Sequence, residues 1–102
     1  MNYRNPRILA LAQQHSCQAC GRDDGTVVAA HSNQGRHGKG MSIKAHDCFV
    51  AFLDSQCHSV VDFGSGSRET RNLVWQLAHE KTIPLFYHLL NERGRQLLAE
   101  HA

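Results

Sequence analysis

Hydrophobic residues come along this chain in short groups whose spacing changes from one group to the next. Ile8, Leu9, Leu11 and Ala12 make a helical stripe just behind Pro6, a residue that suits a first helical turn, so residues 7–15 are predicted to be a short helix. Thr26-Val27-Val28-Ala29-Ala30-His31 is rich in small and β-branched residues and predicts a strand over 26–31. Cys48-Phe49-Val50-Ala51-Phe52-Leu53 is an unbroken apolar run. Its shortness and its aromatics predict a second strand over 48–53. Residues 57–63 read as a short helix ended by Gly64-Ser65-Gly66.

The last third is helical in period. Ser67 is the expected N-cap, Glu69 falls in the first turn, and Leu73, Val74, Leu77 and Ala78 follow at helical spacing. Pro84 predicts a break. Leu85, Phe86, Leu89 and Leu90 then repeat the pattern, Gly94 predicts its end, and Leu97 and Leu98 form a short final element. Trp75 and Phe86 are expected in the core. Residues 32–46, between the two strands, have no period and hold Gly35, Gly38 and Gly40. A long irregular segment inside a small domain is uncommon and often functional. The pattern predicts a small α+β domain over residues 1–102, with the strands in 1–66 and a C-terminal helical extension in 67–102.

Composition narrows this further. A chain of 102 residues, 41% hydrophobic and 20% charged, has room for one core and not two. No apolar run approaches the ~18 residues of a membrane span, and no basic stretch leads an apolar one, so neither a membrane protein nor a secreted one is expected. The formal charge of +2 does not by itself announce nucleic acid. Four Cys and eight His are the unusual counts. With a cytoplasmic location expected, four thiols argue for metal rather than disulfides, because that compartment keeps thiols reduced. A domain this small also gains from a metal staple.

Cys17-Gln18-Ala19-Cys20-Gly21 has the form of a zinc knuckle. The two-residue gap lets both thiolates meet one tetrahedral ion, and the glycine relieves the turn. A redox pair of the same spacing belongs at a strand-to-helix junction, whereas this one follows a helix. Cys57 is the best third ligand. Asp54 stands at knuckle spacing before it and binds zinc through oxygen, although Cys48 and His15 are alternatives for the fourth position. Cys48 opens an apolar run and reads as a buried structural thiol.

His31 ends the first strand, Asp47 precedes the second, and His58 and Asp62 are four apart on the short helix. Taken singly, each has a plain structural explanation: a solvated strand-end His, or an exposed helix charge. If the strands form a hairpin and the helix packs across it, the four converge in a ββα arrangement suited to a hydrolytic divalent ion. His31 would then take a proton from water.

This order of residues resembles the HNH nuclease superfamily in its zinc-supported form, and more closely the YbcO-like family of phage and prophage nucleases. The resemblance runs through Ala30-His31, the Gly/Lys loop to Gly40 and Lys44, Asp47, and Cys57-His58 with Asp62 behind. It implies a ββα-metal core and metal-dependent hydrolysis of DNA phosphodiester bonds. His31 would be the general base and Asp47 the residue that orients it or supports the metal. His58, with Asp62, would hold the catalytic ion (Mg²⁺, Mn²⁺, Ni²⁺ or Zn²⁺). Cys17, Cys20 and Cys57 match the structural zinc positions. Two positions depart from the pattern. Ala30 stands where many members carry a metal ligand, and Asp54 stands where a fourth zinc Cys is usual. Both favour an alternative, a catalytically silent nucleic-acid-binding module on the same scaffold. A zinc-stapled protein-interaction module is the third.

The loop at 32–46 fits DNA physically. Its glycines let the backbone approach a phosphate, Arg36, Lys39 and Lys44 neutralise it, and Ser32, Asn33 and Gln34 can hydrogen-bond it. A flexible solvated loop has the same composition. His37 is expected to be solvated or to touch phosphate, and His46 to be a spare ligand or surface. His79, His88 and His101 are expected to be structural or exposed. The short chain leaves little room for a targeting module, and the resemblance to HNH domains implies DNA as a partner, with a phage recombination or replication protein to deliver the domain to it.

Overall fold

The computed structural model describes residues 1–101. Helix α1 (Pro6–Leu11) carries Pro in its first turn and tightens into a 3-10 turn over Ala12–Gln14, where the longer predicted helix ends. Strands β1 (Val28–His31) and β2 (Val50–Leu53) pair antiparallel, with Val28 opposite Leu53 and His31 opposite Val50. Helix α2 (Ser55–Phe63) follows at once, then α3 (Arg68–Phe86), a 3-10 turn over Tyr87–Leu89, and α4 (Glu92–His101). Both strands start two residues later than the sequence suggests. Cys48 and Phe49 lie in the turn that leads into β2, although the Phe49 carbonyl still accepts the Ser32 N–H at 3.0 Å.

Every residue of β2 is buried, which is why it reads as a continuous apolar run. A two-stranded sheet leaves backbone groups unpaired along its edges, and here the outer edge of β2 finds partners in the rest of the chain. Thr82 Oγ1 accepts the Phe52 N–H at 3.1 Å and His79 Nδ1 donates to the Val50 carbonyl at 2.7 Å. Trp75 Nε1 donates to the Ala30 carbonyl at 2.9 Å, and the Gln18 N–H reaches the Phe52 carbonyl at 2.8 Å. Helix α3 therefore acts as the missing neighbour of the sheet. Trp75 and Phe86 are fully buried, as expected, together with Ile8, Phe49 and Phe52.

Two expectations for the C-terminal third fail. Pro84 does not break the helix. It stands on the exposed side two residues before the end of α3, where its missing N–H frees only the carbonyl of exposed Glu80, and buried Phe86 holds the last turn against Phe52 with ring centroids 6.3 Å apart. Gly94 does not end a helix but lies inside α4. A Cβ there would stand 2.9 Å from Leu90 Cδ2 and 3.0 Å from Tyr3 Cζ, so close packing and not a turn requires the glycine. Ser67 caps α3 as predicted, its Oγ accepting the Thr70 N–H at 3.1 Å. Among the described residues no helix is long and apolar enough to cross a membrane.

Candidate metal centre and His–Asp cleft

The knuckle segment and the start of α2 meet at one end of the sheet. Cys17, Cys20, Asp54 and Cys57 bring three thiols and a carboxylate to within 4.8 Å of one another. A tetrahedral zinc with ~2.3 Å bonds keeps its sulfurs about 3.8 Å apart, so this donor set can hold such an ion. Asp54 has two tasks. Its Oδ1 caps α2 by accepting the Cys57 N–H at 2.8 Å, while Oδ2 faces the Cys20 thiol at 3.2 Å. The Cys57 N–H and the Cys20 thiol together hold its carboxyl below the usual range against the opposing effect of burial. Burial raises the Cys17 thiol, but the N–H groups of Asp54, Cys20 and Ala19 outweigh it and leave it lowered. Burial, then the facing thiols of Cys20 and Cys17, push Cys57 strongly up. Crowded groups of this kind oppose one another's ionisation, and a cation among them reverses that. Cys48 stays outside the cluster, fully buried, its thiol pushed up to about 12 by burial. His15 stacks on Phe52 instead, with centroids 5.9 Å apart.

The second group of candidates sits where β1 ends. His31 Nε2 lies 2.8 Å from Asp47 Oδ1. Asp47 also accepts from Arg4 Nη1 at 3.0 Å and from the Asn5 N–H at 2.7 Å. Burial pushes this carboxyl up, but the bonds from His31 and Asn5 and the charge of Arg4 prevail and hold it below the ordinary carboxylate range. Arg4 and Asn5 are the residues that sequence reasoning missed. They act across 43 and 42 residues of chain, and no local signal marks them.

On α2, His58 Nε2 and Asp62 Oδ2 pair at 3.1 Å, one turn apart as the spacing requires. Asn33 Nδ2 donates to the other oxygen of Asp62 at 2.8 Å. His31, His58 and Asp62 line one cleft of about 210 Å³, with Asn33, Lys39 and Lys44 among its other walls. The four candidates thus form two pairs and not a single ligand cluster. Among the described residues, the Cys17–Cys20–Asp54–Cys57 set is the one group of three or more such donors close enough to share an ion. Ala30 is buried and directs its carbonyl to Trp75, so the departure noted in the sequence leaves no donor at that position.

The loop divides its basic residues. Lys39 and Lys44 border the cleft, whereas Arg36 turns away to Gln34 Oε1 at 2.9 Å, the His101 carbonyl at 3.2 Å and Gln76 Oε1 at 3.4 Å. His37 is not solvated. It is 1% exposed, bonded through Nδ1 to Ser32 Oγ at 2.7 Å and stacked on Phe49 with centroids 4.2 Å apart. The aromatic wall of Phe49 and Trp75 offers an imidazole more than water does, provided the ring stays neutral. Burial, then the charge of Arg36, lowers its pKa to about 4. His46 is no spare ligand, because its Nδ1 accepts the Tyr3 N–H at 2.9 Å. Gly38 has φ +90°, and a Cβ there would stand 2.8 Å from the His46 ring, so this loop glycine is fixed by both conformation and space. Comparison with protein-family models, with curated proteins and with solved structures finds no match.

Proposed function

We propose that this chain is a zinc-stapled, metal-dependent endonuclease domain that hydrolyses DNA phosphodiester bonds in the cleft between β1, α2 and the loop at 32–46. One observation carries this reading: His31, held from behind by buried Asp47, and the His58–Asp62 pair open on the same cleft, with Lys39 and Lys44 at its edge. An ionised Asp47 can only accept, so the proton of His31 sits on Nε2 and the lone pair on Nδ1. That is the tautomer a general base needs. His31 takes a proton from the attacking water at Nδ1, Asp47 stabilises the resulting imidazolium, and Arg4 and Asn5 keep Asp47 in place. Lys39 and Lys44 neutralise the phosphates on either side.

His58 and Asp62 offer one nitrogen and one oxygen to a divalent ion. Two protein donors leave the other positions to water and phosphate oxygens, a pattern that suits Mg²⁺ and similar ions. A bound ion supplies polarisation of the phosphoryl group and stabilisation of the leaving oxygen. The Cys3Asp cluster is read as a structural zinc site, separate in its donors from the cleft.

A second reading has its own support. Buried Ala30 and the lack, among the described residues, of a third convergent donor favour a silent nucleic-acid binder on the same scaffold. Incubation with supercoiled plasmid and Mg²⁺, Mn²⁺ or Ni²⁺ separates the two. The nuclease reading expects nicking by the wild-type chain and its loss in His31→Ala and His58→Ala. Equal nicking by all three identifies a contaminant and removes the catalytic assignment. Plasmid binding without nicking establishes the second reading.

A further inference from the structure

A second cavity of about 340 Å³ lies beside the cleft, between the end of α2 and the beginning of α3. Its size falls in the ~300–1,000 Å³ range of small-ligand pockets. Asn33 and Asp62 line both cavities, so the two are halves of one groove with Asp62 at the divide. Past that divide the walls are Arg68, Arg71, Asn72 and Phe63. Arg71 lines the cavity and is held there by Nη1, which donates to the Asp62 carbonyl at 2.9 Å. Arg68, one turn earlier, has no salt bridge among the described residues. Phe63 is the other unexplained feature. It is 83% exposed at the end of α2, where burial does nothing to explain an aromatic residue.

A cationic pair next to a free aromatic face is the pattern that binds single-stranded nucleic acid. The arginines take the phosphate and the ring stacks on an unpaired base. Paired bases in a duplex present no such face. We infer that the Phe63–Arg68–Arg71 cavity is the subsite for the nucleotide next to the scissile phosphate, and that it selects single-stranded DNA or an unpaired flank over continuous duplex. This inference rests on the nuclease reading of the neighbouring cleft.

The test is fluorescence anisotropy with a labelled single-stranded oligonucleotide, the matching duplex, and the same strand with abasic positions. It uses the full chain carrying His31→Ala, so that the probe is not consumed, with plasmid nicking by the wild-type chain measured in parallel. The expected result is at least tenfold tighter binding of the single strand than of the duplex. Phe63→Ala should weaken the single strand about tenfold, since base–aromatic stacking contributes roughly 1–3 kcal/mol, and should not change binding of the abasic strand. Arg68→Gln should reduce the salt dependence by about one phosphate contact. Duplex binding that equals or exceeds single-strand binding, with Phe63→Ala silent, overturns the subsite. The nuclease reading then stands or falls on His31-dependent nicking alone. Phe63-dependent binding of single strands without any nicking keeps the preference for unpaired DNA but removes the nuclease reading, and with it the place of this cavity beside a scissile phosphate. Binding of neither form removes both.

Discussion

The Cys3Asp cluster and the His–Asp cleft are two sites of the same short β1–β2–α2 unit, and they are built in opposite ways. In the cluster the donors face one another within 4.8 Å, and even the carboxylate that completes it is tied into the helix cap. At the cleft His31, backed by buried Asp47, and the His58–Asp62 pair stay apart, around about 210 Å³ of open space. A donor set whose four positions all come from the protein suits an ion that holds the fold, because it leaves no position for a substrate. An open one suits an ion that must share its coordination with a substrate. The same helix serves both sites: Asp54 and Cys57 at its start turn to one, His58 and Asp62 to the other.

The sharpest way to break this contrast is to remove one donor from each site. Cys17→Ser, or stripping of metal by a chelator, should unfold or aggregate the domain, because structural zinc contributes ~10–16 kcal/mol of apparent binding free energy in small metal domains. Thermal melting with a zinc assay reads this, and an unchanged melt in the variant would dismiss the structural metal. His58→Ala should do the reverse. It removes a half-exposed side chain, so the melt should move little while nicking disappears. His31→Ala should cost roughly 10²–10⁴-fold in nicking rate, the usual worth of a positioned general base. A smaller loss would assign His31 a merely structural role.

Acid provides a finer comparison. His37 forms the buried backing of the loop beside the cleft, and its pKa falls from 6.5 to about 4 on folding. Below pH 6.5 the unfolded chain takes up a proton that the folded chain refuses, so stability falls with falling pH between those two values and levels off beneath the lower. The contribution lost is roughly 3 kcal/mol at about 1.4 kcal/mol per pKa unit. Denaturant melts across that window, with zinc present throughout, should show a shallower slope in His37→Asn than in wild type. Equal slopes would place the acid sensitivity elsewhere. The smallest expected effect is at the rim. Lys39→Ala should leave the fold intact and lower the salt dependence of DNA binding by about one phosphate contact, whereas Arg36→Ala, turned toward α3 and α4, should leave that dependence unchanged.

These sites were unequally legible in the sequence. The zinc-type donors were the plainest. Cys17 and Cys20 are separated by a fixed spacing, and Asp54 and Cys57 repeat it on a helix start, so local geometry brings each pair together before the pairs meet. His58 and Asp62 were legible for the same reason, one helical turn apart. The neighbours of Asp47 were not. Its partners Arg4 and Asn5 come from an N-terminal segment with no pattern of its own, so only the folded chain reveals that a buried carboxylate is braced from that side. The basic loop misled for a related reason. Composition groups Arg36, His37 and Lys39 together, but the Gly35–His37 turn buries the imidazole against Phe49 and aims the guanidinium at the C-terminal helices, leaving the lysine at the cleft.

The fold shows the same division. The apolar run through Phe52, the Ser67 cap and the alternation of turn and helix signals are local, because propensity and periodicity act over a few residues. They determined by themselves that two strands precede a set of helices. Whether Pro84 would end α3, or Gly94 a later helix, depended on what each residue touches. Pro84 lost one exposed bond while Phe86 remained anchored in the core, and Gly94 made room for Tyr3 from the far end of the chain. Tertiary structure also decided that helix side chains complete the sheet, and that His31 and the His58–Asp62 pair, distant in sequence, share one cleft. Long-range packing selects among conformations that local chemistry leaves nearly equal in free energy, and a linear pattern carries no record of those contacts.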